Sequence, residues 1–232
     1  MTNKFQKISA AVFIALSLTA CGGSDNDYPG PPLLVTDDGI STFSSSNLNY
    51  ALSYLPLESI STAEAASLTF MREEEKLANN VYLQLANTYG AQTRVFSNVA
   101  QSEASHTESI RQLLVRYTLA DPAAGLADGV FVNQTLQQLY ATLIQQSSLG
   151  YIDALKASCA IEEIDILDLQ TALVNTDNQD IKVVYNNLNV ASRNHLRSFV
   201  KALTLVGITY VPQYLTVEAY QAIVTTPIER GN

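Results

Sequence analysis

The chain is 232 residues long, with 22 acidic residues against 13 basic ones, a formal charge of −9 and only two histidines and two cysteines. A balance that acidic gives no electrostatic ground for binding nucleic acid, and anionic lipid headgroups would repel it. Attraction to cations is the interaction it favours.

Lys4 and Lys7 precede an apolar run from Ile8 to about Leu18, too short to cross a bilayer, so residues 1–20 read as a secretory signal. The run ends in Leu18-Thr19-Ala20-Cys21, which resembles the lipobox of bacterial lipoproteins. That resemblance implies cleavage before Cys21, lipidation of its sulfur, and a membrane anchor at the cell envelope. Gly22, rather than aspartate, in second place implies sorting to the outer membrane, facing the periplasm or the exterior. Gly22 to about Asn47 is rich in Gly, Ser, Asp and Pro and includes Pro29-Gly30-Pro31-Pro32, so residues 21–55 are expected to form a flexible tether. Loss of residues 1–20 leaves 11 basic against 22 acidic residues, and with Cys21 lipidated only Cys159 remains, which excludes an intramolecular disulfide.

From about Ser61 to Tyr89 there is no Pro or Gly, and Ser61-Thr-Ala-Glu64 forms a capping box. Leu68, Met71, Ala78, Tyr82 and Leu85 recur at helical spacing, and Gly90 follows as a stop. A second helix is expected from about Thr93 to Leu119, with Val99, Glu103, His106, Ile110 and Leu113 on one side. Asp121-Pro122, Gly125 and Gly129 break the pattern, and Asn133 then caps a shorter amphipathic segment reaching Ser148. A third long helix runs from about Tyr151 to Val174, with Leu155, Ser158, Glu162, Asp165 or Ile166, and Leu169 inward. The fourth runs from about Gln179 to Leu205, with Val184 or Tyr185, Leu188, Ser192, His195 and Phe199 inward, and Gly207 ends it. A short pattern from about Val217 to Val224 follows. These lengths predict an all-α, antiparallel four-helix bundle over residues 56–206, with an extra short helix between the second and third long helices. Residues 207–232 form a C-terminal extension packed on its outside.

Buried carboxylates cost several kcal/mol unless paired or bound to a cation, so acids on inward faces need an explanation. Glu75 lies on the inward stripe of the first helix; Glu74 is the runner-up, flanked by Phe70, Leu77 and Val81, and Glu73, beside Asn80, reads as solvated. On the third helix Glu162 points in, whereas Glu163 is flanked by Lys156, Cys159 and Gln170; Asp165 extends the side of Glu162. Glu103-Ala-Ser-His106 places a carboxylate and an imidazole on one face of the second helix.

The pattern from Leu68 to Phe199 resembles the ferritin-like superfamily and, within it, the bacterial family DUF2202. The resemblance is carried by Phe70-Met-Arg-Glu-Glu-Glu-Lys-Leu-Ala78, Glu103-Ala-Ser-His106, Ile161-Glu-Glu-Ile-Asp165 and Ser192-Arg-Asn-His-Leu196. It implies that Glu75, Glu103, His106, Glu162, Asp165 and His195 fall at ligand positions for iron or another divalent transition metal. Ser192 stands where a fourth-helix Glu would complete a second Glu-x-x-His, which removes a carboxylate that would bridge or chelate one of two ions. Four acids still balance two divalent ions, and one ion, two or none remain open. Plainer readings stand beside these: His195 as a hydrogen-bonded core residue, Glu103 paired with Arg72 or Arg197, Cys159 as a small core filler, and Tyr82 and Tyr185 as packing. The functional expectation is a membrane-tethered ferritin-like metalloprotein acting on peroxide or ferrous iron. The alternative is a metal-free helical-bundle binding module of the cell envelope. A closed storage shell is disfavoured by a lipidated N-terminus.

Overall fold

The computed structural model describes residues 29–231; the signal segment, Cys21 and the first part of the expected tether lie outside them. In chain order the elements are strands β1 (Leu33–Val35) and β2 (Ser41–Phe43), then helices α1 (Ser45–Ser53), α2 (Thr62–Tyr89), α3 (Val95–Arg116), α4 (Gln134–Ser147), α5 (Tyr151–Val174), α6 (Gln179–Leu205) and α7 (Val217–Val224). The fold is an all-α bundle with a two-stranded antiparallel hairpin as its only sheet among the described residues.

Local chemistry starts and stops these helices where expected. At Ser61 the hydroxyl accepts from Glu64 N while the Glu64 carboxylate accepts from Ser61 N, completing the capping box of α2. Asn133 accepts from Thr135 N and Leu136 N at the start of α4. Gly150 precedes α5 at φ +151°, a backbone setting that a side chain would strain.

The helix ends define the topology. Arg116 at the end of α3 pairs with Asp180 at the start of α6 at 2.7 Å, while Tyr151 at the start of α5 lies 5.9 Å from Tyr89 at the end of α2, ring to ring. Thus α3 and α5 run in the same direction, and the segment between them returns along the whole bundle through α4, which packs on α2 and α5. The neighbouring pairs α2–α3, α5–α6, α2–α5 and α3–α6 are all antiparallel.

Two apolar clusters fill the interior. One gathers Tyr82, Phe96, Leu155, Phe199 and Leu203 toward the α2–α3 turn, and the other gathers Leu68, Met71, Ile110, Leu113, Tyr185 and Leu188 toward the opposite end. On every long helix the chain passes from one cluster to the other through polar residues: Glu75 on α2, Glu103 and His106 on α3, Glu162 and Asp165 on α5, Ser192 and His195 on α6. The bundle therefore carries a polar waist between two hydrophobic plugs.

Several expectations are corrected. The tether expected to reach residue 55 is ordered well before that point: Leu33, Phe43, Leu48 and Leu52 are buried in the cluster of Leu68, Met71 and Ile110. Four apolar anchors outweigh the polar composition around them. Glu73 is buried rather than solvated, because the loop before α4 covers that flank and donates Val132 N and Asn133 N to its carboxylate. Glu163 is likewise fully buried, accepting from Tyr210 Oη at 2.6 Å and from the backbone N–H groups of Gln213, Tyr214 and Leu215 at 2.9, 2.7 and 2.8 Å. Neither Arg72 nor Arg197 pairs with Glu103: Arg72 bonds Asp121 at 3.1 Å, and Arg197 bonds Glu229 at 2.6 Å.

Candidate metal centre

Residues 73, 74 and 75 are successive glutamates, each turned about 100° from the last around α2. All three are buried because α2 is covered by the core on one side, by α5 on another and by the α4 segment on a third. Only Glu75 reaches the waist, with Oε2 3.5 Å from His106 Nδ1.

On α3 the Glu103-x-x-His106 turn places Glu103 Oε2 3.0 Å from His106 Nδ1. The other oxygen of Glu103 lies 2.9 Å from His195 Nδ1 on α6, so one carboxylate sits between both imidazoles. Glu162 on α5 approaches His195 Nδ1 at 3.5 Å and accepts a hydrogen bond from Tyr82 Oη. The two rings stack with centroids 5.4 Å apart and planes inclined at 16°. Donor atoms of Glu103, His106 and His195 all lie within 4.8 Å of one another. Asp165 sits beside this group without touching either histidine. It accepts instead from Ser192 Oγ, so the α6 position that lacks a carboxylate supplies a hydrogen bond to one from α5.

The N-terminal hairpin supplies a part that the helical pattern gave no sign of. Ser102 Oγ and Ser105 Oγ on α3 accept from Ser41 N at 3.2 Å and Phe43 N at 2.9 Å, stitching β2 along the helix. The Ser41 carbonyl is thereby set over His106, whose Nε2–H donates to it at 2.7 Å. With Nε2 committed as a donor, Nδ1 is the atom turned toward Glu103 and Glu75. A sequence signal for the hairpin exists: Leu33-Leu-Val35 and Ser41-Thr-Phe43 flank Asp38-Gly39, with Gly39 at φ +89°.

Electrostatics divide the acids. Burial pushes Glu103 up, but His106 and His195 overcome it and hold the carboxyl well below its usual range. Burial would lower the two imidazoles; Glu103 and Glu75 nevertheless raise His106 well above its ordinary value, and Glu162 and Glu103 raise His195 to about 9. Burial raises Glu75 to about 8 and also raises Glu162, and it raises Asp165 well above the carboxylate range with the charges of Glu75, Glu103 and Glu162 adding to it. Two imidazolium ions can neutralise two carboxylates at most, so the remaining acids must hold protons or face a cation.

The donors fit a metal ion. Both oxygens of Glu75, one of Asp165 and both ring nitrogens of His195 are buried without a hydrogen-bond partner; His195 Nδ1, though 2.9 Å from Glu103, is out of line for a hydrogen bond. Buried polar atoms are rarely left so, and carboxylate oxygen with imidazole nitrogen is a donor set for iron, manganese or zinc. The His106 Nε2–H bond to a backbone carbonyl is the outer arrangement that orients a ligating imidazole.

Comparison with known proteins agrees with this fold. The chain is 43% identical over 180 residues to the uncharacterized protein MJ0754 of Methanocaldococcus jannaschii, covering 78% of this chain and 96% of that protein. The crystal structure of that hypothetical protein superposes with a TM-score of 0.73 at 42% identity, covering 75% of this chain and 99% of the other. Residues 64–227 match the family model described as an uncharacterized protein domain, DUF2202. With that match spanning most of the bundle and the C-terminal extension, the chain belongs to the DUF2202 family.

Proposed function

We propose that the polar waist is a carboxylate–histidine metal centre of the ferritin-like kind, holding one or two divalent transition-metal ions, with iron the ion its mixed oxygen and nitrogen donors suit best. The observation that carries this reading is the group of buried, unpartnered donor atoms of Glu75, Asp165 and His195 gathered around Glu103. Glu75, Glu103 and His106 would hold one ion, and Glu162, Glu103 and His195 the other, with Glu103 shared. Asp165, steadied by Ser192, stands in for the missing α6 carboxylate. The single long crossover between α3 and α5 supports the ferritin-like reading, since such bundles have one such connection.

Bound iron would supply redox chemistry toward peroxide or ferrous iron. The chain's own contribution is a waist closed off by apolar clusters on both sides, Tyr82 Oη held on Glu162, and protonated acids whose protons leave as an ion takes their place. The lipobox resemblance at Cys21 supports a tether at the cell envelope, probed by fractionating cells that express the Cys21→Ser chain. No helix among the described residues is long and apolar enough to cross a membrane.

Metal analysis tests the centre. The purified protein, reconstituted with ferrous iron in the absence of oxygen, should retain about one to two equivalents per chain. His106→Ala should reduce that content more than Glu163→Gln does. A chain that stays metal-free would make the waist an ion-paired network and the protein a binding module.

A further inference from the structure

Carboxylates recur on α5 at Glu162, Asp165 and Asp168, one per turn, each about 4.5 Å of helix rise beyond the last. Glu162 belongs to the centre and Asp165 stands at its rim. Asp168 is half-buried and lines an open groove between α2 and α5 with Ala66, Phe70 and Met71. Across the seam stands Glu74. It is only 5% exposed, both its oxygens lack a hydrogen-bond partner, and the carboxylates of Asp165, Asp168 and Glu75 all bear on it electrostatically. Glu74, Glu75 and Asp165 also line a cavity of about 10 Å³ walled by Leu139, Leu143 and Ile161, space for roughly a single water or ion.

The basic residues of α2 are used elsewhere. Lys76 Nζ bonds Asn80 and the carbonyls of Ala127 and Val130, and Arg72 bonds Asp121. Between Asp168 and the centre lies a line of carboxylates, Glu74, Asp165 and Glu75, in which only Asp165 has a donor, Ser192 Oγ, so that protons or cations must offset the remaining oxygens. One end opens to solvent and the other adjoins the metal ligands. We propose that Asp168 and Glu74 form a loading site that captures a divalent cation from the α2–α5 groove and passes it through Asp165 to the centre. The inference rests on the metal-centre reading and gives Glu74 a task distinct from that of Glu75.

The test is stopped-flow loading of the metal-free full chain with cobalt(II), followed by the visible absorption that histidine ligation produces. Glu74→Gln and Asp168→Asn should each slow the rise by about tenfold or more, the scale on which charged clefts raise association rates, while leaving amplitude and stoichiometry at wild-type values. The wild-type rate should also fall more steeply with added salt than either variant's. Both substitutions keep side-chain shape while replacing an ionisable oxygen by an amide nitrogen, and Asp168 is half-buried at the groove, so circular dichroism should be unchanged. Equal rates with full amplitude in all three proteins would overturn the loading site and leave the centre standing. Loss of amplitude in Glu74→Gln would make that residue a ligand of the centre and overturn the proposal too. Absence of any absorption in the wild type would remove the centre and, with it, the loading site.

Discussion

His106 and His195 share the Glu103 carboxylate, and each has a further glutamate 3.5 Å from its Nδ1, Glu75 for one and Glu162 for the other. They differ in what holds the far side of the ring. His106 Nε2 is anchored on the Ser41 carbonyl, with Phe43 edge-on at 5.8 Å, whereas His195 Nε2 has no partner. They differ also in what lies three residues earlier, a glutamate at 103 and a serine at 192. Anchoring an imidazole from outside the ligand shell is worth about 10–100-fold in metal affinity, so the two halves are expected to bind unequally, with the His106 half tighter.

The harshest way to break the comparison is to remove what the halves share. Glu103→Ala leaves two buried imidazoles without their common counter-ion, and the metal-free protein should lose about 3–5 kcal/mol of stability by denaturant titration, along with both metal equivalents. Retention of either equivalent would mean that Glu103 is not the bridge. Sharper discrimination comes from the histidines singly. A metal titration of the wild type should resolve a tighter and a weaker step; His106→Ala should abolish the tighter one and His195→Ala the weaker one. The reverse assignment would deny Ser41 its orienting role.

Acidity offers a gentler probe. His195, raised from 6.5 to about 9, contributes stability that is complete below pH 6.5 and lost as pH rises through about 9. Glu75, raised from 4.5 to about 8, keeps in the fold a proton that the unfolded chain has released, so it too withdraws stability as pH rises across that interval. Glu103 acts in the other sense, its contribution present above 4.5 and lost only in strong acid. The metal-free protein should therefore lose on the order of a few kcal/mol between neutral and alkaline pH, read as a falling Tm, while the loaded protein stays level. A Tm that rises toward pH 9 without metal would contradict the proton-loaded waist.

The smallest effect is expected at Ser192. Ser192→Ala removes one hydrogen bond to Asp165, costing about 1 kcal/mol, and should weaken only the lower-affinity step. An equal loss in both steps would show that Asp165 serves the two halves alike.

The long helices were legible because each buries a stripe with a 3.6-residue period between recognisable caps: α5 and α6 begin and end where Gly150, the Asn175–Asn178 turn and Gly207 place them. The inward acids of the waist followed from the same stripes. What escaped were contacts whose partners lie outside any periodic pattern. Glu73 and Glu163 sit on faces a helical wheel assigns to solvent, and their burial depends on loops arriving from residues 132–133 and 210–215. The hairpin was hidden because three-residue strands give almost no alternation, and the Asp38-Gly39 turn lay within a composition typical of spacers. Ser41 was beyond reach for a further reason: it acts through its carbonyl, which every residue has.

Glu162 and Glu163 are neighbours on one turn of α5 that point about 100° apart, one into the waist and the other into the C-terminal extension, where four hydrogen bonds of 2.6–2.9 Å grip its carboxylate. Any rotation of α5 about its own axis that would swing Glu162 away from His195 must tear Glu163 from those donors. The extension thus works as a key in a shaft: a segment with no ligand of its own fixes the angular setting of one that has.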